Sequence, residues 1–202
     1  MTSERLTQVI DAIDVANARD PKQIETAGQQ RPAELVYGER MSAALGRLYP
    51  EASEALQIAA RGQHIERWVR PRSEYPMDRT GYLRWRGELK AYHGTRVGEI
   101  MAGVGYPTED IARVESLIRK HRLKRDEEAQ ALEDVVCVVF LEDYFADFAA
   151  KHEDAKVIDI LRKTWPKMSA HGQDAALRLT LPPKALALVE AALQPDAPAN
   201  PA

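Results

Sequence analysis

Apolar residues recur along this chain at the three- and four-residue spacing of amphipathic helices. Leu6, Val9 and Ile13 form such a stripe in a first predicted helix over residues 4–18. From Thr108 to Trp165 the sequence contains neither proline nor glycine, and so long a stretch without a breaker does not suit a meander of short strands. The pattern therefore predicts helices throughout.

The predicted helices are separated by segments where proline, glycine and polar residues interrupt the apolar pattern. Asp126 is the predicted N-cap of the sixth helix and Thr108 that of the fifth. The connector between the third and fourth predicted helices, residues 69–80, holds two prolines and is predicted to be a loop. The helices cover, in order, residues 4–18, 32–48, 51 or 53 to 68, 81–101, 109–122, 126–149, 153–165, 169–179 and 183–193. This organisation predicts one all-α bundle of eight or nine helices over residues 1–193, followed by a flexible proline-rich tail over 194–202.

The sixth predicted helix combines the longest apolar run of the chain with acidic residues at both ends of that run. The run extends from Val135 to Leu141 and is apolar all round, which predicts the buried axis of the bundle. A carboxylate in such a setting needs a hydrogen-bond partner, a metal ion or a proton. We predict that Asp134 points inward and leave Glu142 open as a second acid. The alternative is that all four acids that flank the run are solvated charges at helix ends, namely Glu133, Asp134, Glu142 and Asp143.

A cluster of basic residues surrounds the third and fourth predicted helices. RGQHIERW places His64, Arg67 and Trp68 at i, i+3 and i+4, on one helical face. Guanidinium groups donate two parallel hydrogen bonds, which suits phosphate or carboxylate. We therefore predict a site for a small anionic substrate, and ordinary ion pairing with the abundant Asp and Glu is the alternative. The residues predicted to hold the anion are Arg67, Arg72, Arg86 and Lys90.

Composition limits the classes of function. The 202 residues include thirty alanines and three phenylalanines, which favours tightly packed helices over strands. Lys and Arg number 28 against 31 Asp and Glu, so no broad cationic field is available for nonspecific nucleic-acid binding, although a local basic patch is left open. The single cysteine, Cys137, cannot form an internal disulfide, and no apolar stretch reaches the roughly 18 residues of a membrane span. A cytoplasmic protein without a membrane partner is predicted, and its oligomeric state is left open.

Four segments resemble one family along most of the chain. AELVYGERM, RGQHIERWVRPRSEYP, GYLRWRGELKAYH and LEDVVCVVFLEDYF are similar to the bacterial and fungal proteins of domain-of-unknown-function family 4202. The likeness extends from about residue 8 to residue 181. It implies family membership and no established activity.

A more distant resemblance concerns the order of the histidines and the late acid. It is similar to that of HD-domain metal-dependent phosphohydrolases, which are helical bundles in which an early histidine, a His-Asp pair and a late aspartate bind a divalent metal that activates water. By position, the resemblance implies that His64 is the early histidine, His93 the paired histidine and Asp134 the late acid. His121 would be the extra histidine of two-metal members. His93 is followed by Gly94, so the aspartate of the pair is absent.

These residue types suit a metal as well as an anion. Two or three histidines with a carboxylate are a sensible ligand set for zinc, manganese or iron. We therefore expect an HD-like metal-dependent hydrolase of a small phosphorylated or other anionic substrate, with His93 and Asp134 in catalysis. The expected metal ligands are His64, His93, His121 and Asp134. The alternatives are a non-catalytic helical module that binds an anion, an RNA segment or a protein, and an HD-like metal oxygenase.

Overall fold

The computed structural model describes residues 3–121 and 123–194 of the chain. Within them the backbone is mostly α-helical, so the predicted all-α class is confirmed, while the likeness to an HD bundle stays a prediction. The α-helices are α1 (Glu4–Asn17), α2 (Ala33–Leu48), α3 (Glu54–Arg61), α4 (Arg79–Gly103), α5 (Thr108–Ile118), α6 (Glu127–Val139), α7 (Phe145–Ala149), α8 (Asp154–Thr164), α9 (Ala170–Leu177) and α10 (Pro183–Leu193). Short 3₁₀ turns cover Arg67–Val69, Arg72–Glu74 and Trp165–Lys167, and a π-helical segment covers Phe140–Tyr144.

Packing divides the chain into two compact units, Met1–Leu132 and Glu133–Ala202, which we call the first and second units. One domain over residues 1–193 stays a prediction, and the proposed tail lies outside the described residues except for Gln194. None of the helices in the described part of the chain is both long and apolar enough to cross a bilayer.

A small β-hairpin precedes α2 where the sequence predicts only a polar connector. Strand β1 (Gln23–Thr26) pairs antiparallel with β2 (Gln29–Pro32), in the register Thr26 to Gln29. Ala27 and Gly28 form the two-residue turn with φ of 50° and 75°, as such tight hairpin turns require. The usual sequence signal for such a turn is Asn-Gly or Asp-Gly. Here the first turn residue is alanine, which seldom adopts positive φ, so the sequence did not indicate a hairpin.

Helices α1 to α5 build the core of the first unit. Helix α3 packs on α1, α2 and α5, and α4 packs along α5 and α1. The fully buried side chains of the first unit include Ile13, Met41, Ile58, Val97, Met101 and Leu117. Glycines within α4 do not break it, because neighbouring helices lie against them: a Cβ on Gly94 or Gly98 would meet side chains of α5 or of the residue after it. Close contact between α4 and α5 thus explains a helix that runs through several glycines.

The second unit is organised around the end of the apolar run. Residues Val135, Val138 and Leu141 are buried as predicted. Asp126, which belongs to the first unit, caps α6, since its Oδ1 accepts from the N–H groups of Glu128 and Ala129 at 3.1 Å. Helices α8 and α10 pack on each other, and α10 also contacts α7.

Candidate functional site

Two of the predicted site histidines lie together in the first unit. His93 is on α4 and His64 is in the turn that follows α3, and their ring centroids are 6.0 Å apart with a tilt of 41°. Tyr37 of α2 stacks on His64, with a centroid distance of 4.0 Å and nearly parallel planes. Three separate elements therefore meet at this pair of imidazoles.

The prediction that His64, Arg67 and Trp68 share one helical face is wrong, because α3 ends at Arg61. Gly62 follows the helix, and Glu66 then adopts a left-handed conformation with φ of 49°. The N–H of Glu66 donates to Asn17 Oδ1 at 2.9 Å, which holds this strained residue in place. The chain turns here instead of continuing as helix, and the turn carries His64 toward α4.

His93 is held in one tautomer by the backbone of that turn. Its side chain is buried, and Nδ1 donates to the carbonyl of Ile65 at 2.7 Å. A neutral imidazole that donates through Nδ1 keeps the lone pair on Nε2. Burial, and after it the neighbouring His64, lower the pKa of His93 to about 3. At neutral pH His93 is therefore uncharged, and its Nε2 lone pair is available to a hydrogen-bond donor or a metal ion.

His64 is enclosed from both faces of its ring. Arg67 Nη1 lies 3.1 Å from both ring nitrogens, and an atom at that distance from both must sit over the ring, since in the plane it would collide with the carbon between them. Arg67 and Tyr37 thus cover opposite faces, and the lone pair in the ring plane is not used by Arg67. The pKa of His64 is well below its ordinary value, first because of burial and then because of the cations Arg67, Lys120 and Arg86.

Glu34 belongs to this site, although it is not among the residues predicted from the sequence. Its Oε2 lies 3.5 Å from His64 Nδ1 and is buried without a hydrogen-bond partner among the described residues. Burial raises the pKa of Glu34, with Arg67 opposing the shift. Buried Asp20 positions the residue, because its Oδ2 accepts from the Glu34 N–H at 2.9 Å at the start of α2. The i, i+3 spacing of Glu34 and Tyr37 within AELVYGERM places them on one helical face, but it does not link them to His64.

The predicted anion-binding residues have different surroundings. Arg67 lies over the Trp85 ring at 5.3 Å, and Arg86 is exposed on α4 over Tyr82 at 5.7 Å. Arg72 instead donates to the carbonyls of Tyr75 at 2.9 Å and Pro76 at 2.6 Å, so it fastens the loop before α4. Lys90 is half-buried one turn beyond Arg86. The charge of Lys120, which was not predicted, also lowers the pKa of His64.

Asp134 and His121 have other environments. The side chain of Asp134 is buried in the second unit, where Oδ1 accepts from the Ser169 N–H at 2.8 Å and Oδ2 from the Ser169 hydroxyl. Ser169 is the N-cap of α9, so this carboxylate lies at the positive end of a helix. His121 is exposed in the turn after α5, and Glu142 is exposed in the π-helical segment.

The donor chemistry of the site suits a divalent metal, but the ligands are not assembled in advance. Two neutral imidazoles and a carboxylate are a common set for zinc, manganese or iron. Across residues 3–121 and 123–194, no three His, Cys, Asp or Glu side chains are close enough to hold an ion as they stand. Binding an ion would therefore require Glu34 or a further ligand to move.

Acid is expected to destabilise the protein through His93. The unfolded chain binds a proton on this residue near its ordinary pKa of 6.5, whereas the folded chain does so only near 3. Stability is therefore lost as pH falls below 6.5, by about 2 kcal/mol between pH 7.5 and pH 5. Glu34 acts in the opposite sense, since its raised pKa favours the folded state on acidification. Urea unfolding of metal-free protein should show this loss reduced by about 2 kcal/mol in His93→Asn.

The substitution His93→Asn keeps a donor near Ile65 and removes the titrating ring. His152→Asn is the matched control, because His152 Nδ1 also bonds a backbone carbonyl, that of Phe148, at 2.9 Å. Identical pH dependence in wild type and His93→Asn would contradict the assignment of a buried neutral imidazole.

Comparison with known proteins gives one match. The family model described as Domain of unknown function (DUF4202) matches residues 7–189, close to the span over which the sequence resemblance was predicted. No curated protein and no solved structure matches the chain.

Proposed function

The chain belongs to the DUF4202 family, and we propose that it is a hydrolase of a small phosphorylated or other anionic substrate, acting at the cluster of Glu34, His64 and His93. The observation that carries this proposal is the fixed tautomer of His93. Its Nδ1–H donates to the Ile65 carbonyl, so Nε2 presents a lone pair inside a buried site on which the charge of Arg67 acts. Glu34 Oε2, which is buried and lies 3.5 Å from His64 Nδ1, places an acid in the same site.

The cationic side chains around His64 account for the proposed binding of an anionic substrate. Arg67, Arg86 and Lys120 all act electrostatically on His64, so a phosphate beside that ring meets their combined field. The two imidazoles are neutral at pH 7 and add no charge of their own. Trp85 beneath Arg67 fixes the guanidinium without neutralising it. The proposal thus assigns anion binding chiefly to Arg67.

His93 and Glu34, whose pKa values are shifted in opposite directions, supply the base and the acid of the proposed reaction. In the hydrolysis of a phosphate ester, water attacks phosphorus and the bond from phosphorus to the ester oxygen breaks. His93 Nε2 accepts the proton of the attacking water, and a bound anion raises the pKa of that imidazole toward the value a base requires. Glu34, whose pKa is raised by burial, gives a proton from Oε2 to the leaving oxygen. The protons then exchange with solvent.

In a metal-assisted form of the reaction, the lone pair on His93 Nε2 would bind a metal ion instead of accepting a proton. His64 and His93 would hold a zinc, manganese or iron ion, which would supply a water of lowered pKa and polarise a phosphoryl oxygen. The proposal does not depend on Asp134, whose two described hydrogen bonds come from Ser169.

The test is phosphate release from p-nitrophenyl phosphate and a panel of sugar and nucleoside phosphates, with EDTA and with added zinc, manganese or iron. We expect His93→Asn to lower kcat by about 100-fold or more, because it removes the Nε2 lone pair. Arg67→Ala should instead raise KM by about tenfold, since a lost charged hydrogen bond weakens substrate binding. Elemental analysis of the purified protein separates the metal-assisted form from the metal-free one.

His152→Asn is the control and should leave the kinetics unchanged. Turnover of no member of the panel under any metal condition would overturn the hydrolase and leave an anion-binding module. Equal activity of wild type and His93→Asn would also refute it.

A further inference from the structure

A second concave site lies in the first unit, where α1, α2 and α3 meet. It is a groove with a cavity of about 320 Å³. Leu6 and Ile10 contribute from α1, Leu45 and Gly46 from α2, and Gln57 and Arg61 from α3. This volume is at the lower end of the range of small-molecule sites, and most of these side chains are apolar, as in such sites. The groove shares no lining residue with the cluster of Glu34, His64 and His93.

Arg61 is a charged residue that lines the groove, and one of its nitrogens has donor hydrogens that its described hydrogen bonds do not fully use. Its side chain is only 11% exposed. Nε and Nη2 donate to the two oxygens of Asp14 at 2.6 and 2.5 Å, while Nη1 makes one long contact of 3.4 Å with Ser42 Oγ. Buried donors are normally satisfied, and Nη1 carries two hydrogens. An acceptor from outside the chain would complete this guanidinium.

The charge balance decides which kind of acceptor fits. Asp14 already neutralises Arg61 in a two-point ion pair, so an added carboxylate or phosphate would meet little net positive charge and would be repelled by Asp14. A carbonyl oxygen accepts the Nη1 hydrogens without that repulsion. The walls formed by Leu6, Ile10 and Leu45 accommodate an apolar body behind it.

We propose that the groove between α1, α2 and α3 binds a small uncharged molecule with an apolar body and a carbonyl group that accepts from Arg61 Nη1. This binding is independent of the hydrolase proposed above, because it uses none of the same residues. Gly46 keeps the groove open, since a Cβ built there would meet nothing within 4 Å. A larger side chain at this position can enter the groove without disturbing the fold.

The test is a ¹H–¹⁵N NMR titration with hexanamide. We expect a Kd of about 1 mM or tighter, with shifts concentrated at Ile10, Gly46, Gln57 and Arg61. Gly46→Leu should weaken binding by about tenfold or more, because the leucine occupies the apolar part of the groove. Gly87→Leu is the matched control, since Gly87 also lies in a helix and a Cβ there also meets nothing within 4 Å. It should bind hexanamide as wild type does.

Hexanoate and hexylammonium test the preference for an uncharged ligand, and both should bind more weakly than hexanamide. The proposal is overturned if hexanamide causes no shifts, as expected of a groove filled by water alone. It is also overturned if Gly46→Leu binds as wild type does, or if hexanoate binds more tightly.

Discussion

Replacing Asp134 with alanine is expected to lower the free energy of unfolding by about 3 kcal/mol. The carboxylate is fully buried and accepts from both the backbone N–H and the hydroxyl of Ser169. Its removal leaves a backbone donor without its acceptor and takes a negative charge from the N-terminus of α9. Urea unfolding at neutral pH, followed by a probe in the second unit, measures the loss.

Matched variants locate the origin of that loss. Ser169→Ala removes one of the two donors and the N-cap oxygen that Gly172 N–H contacts at 3.1 Å, so it should cost about 1 kcal/mol. Glu142→Ala changes an exposed acid and should cost less than about 0.5 kcal/mol. If Asp134→Ala proved as stable as Glu142→Ala, the capping role would be refuted. A loss that is the same with EDTA and with metal would assign Asp134 to stability alone.

Gly62→Ala is expected to destabilise the first unit by about 2 to 3 kcal/mol. A Cβ at this position would lie 2.4 Å from Val97 Cγ2 and 3.5 Å from Ile13 Cδ1. Both neighbours are fully buried, so neither can move into solvent. The substitution would push the turn that carries His64 away from α4. Thermal or urea unfolding, with the chemical shifts of His64 and His93 as a local readout, tests this result.

Val97→Ala provides the internal control because it removes the methyl group that the new Cβ meets. The double variant Gly62→Ala, Val97→Ala should therefore be more stable than the sum of the two single effects predicts. Gly87→Ala, where the added Cβ meets nothing, should be neutral or slightly stabilising. Additivity in the double variant would contradict the close approach of the turn to α4.

The helices were largely predictable because the signals that define them are local. Helix α1 ends one residue before the predicted boundary, and α4 extends two residues beyond it at each end. The N-cap role of Asp126 is confirmed, whereas Pro107, not Thr108, caps α5. The end of α3 was wrong, since the sequence does not reveal that residues 62–66 form a turn held by Asn17, a partner distant along the chain.

The candidate site was only partly predictable for the same reason. His64, His93 and Arg67 were selected from spacing and residue type, and the structure brings them together. Glu34 and Tyr37 lie some thirty residues earlier, and nothing local links them to His64. Arg72 was selected as a ligand because of its charge, but its contacts with loop carbonyls depend on how residues 75–78 fold back. Local pattern identifies candidates, whereas tertiary contacts decide which of them converge.

The hydrogen bond from His93 to Ile65 has a consequence for how such a protein can diverge. The acceptor is a main-chain carbonyl, so the orientation of the imidazole does not depend on which side chain occupies position 65. No neighbouring acid is needed to orient the ring. Selection for the site would therefore act on the residues that shape the backbone bend, while the residue supplying the carbonyl could drift among apolar types.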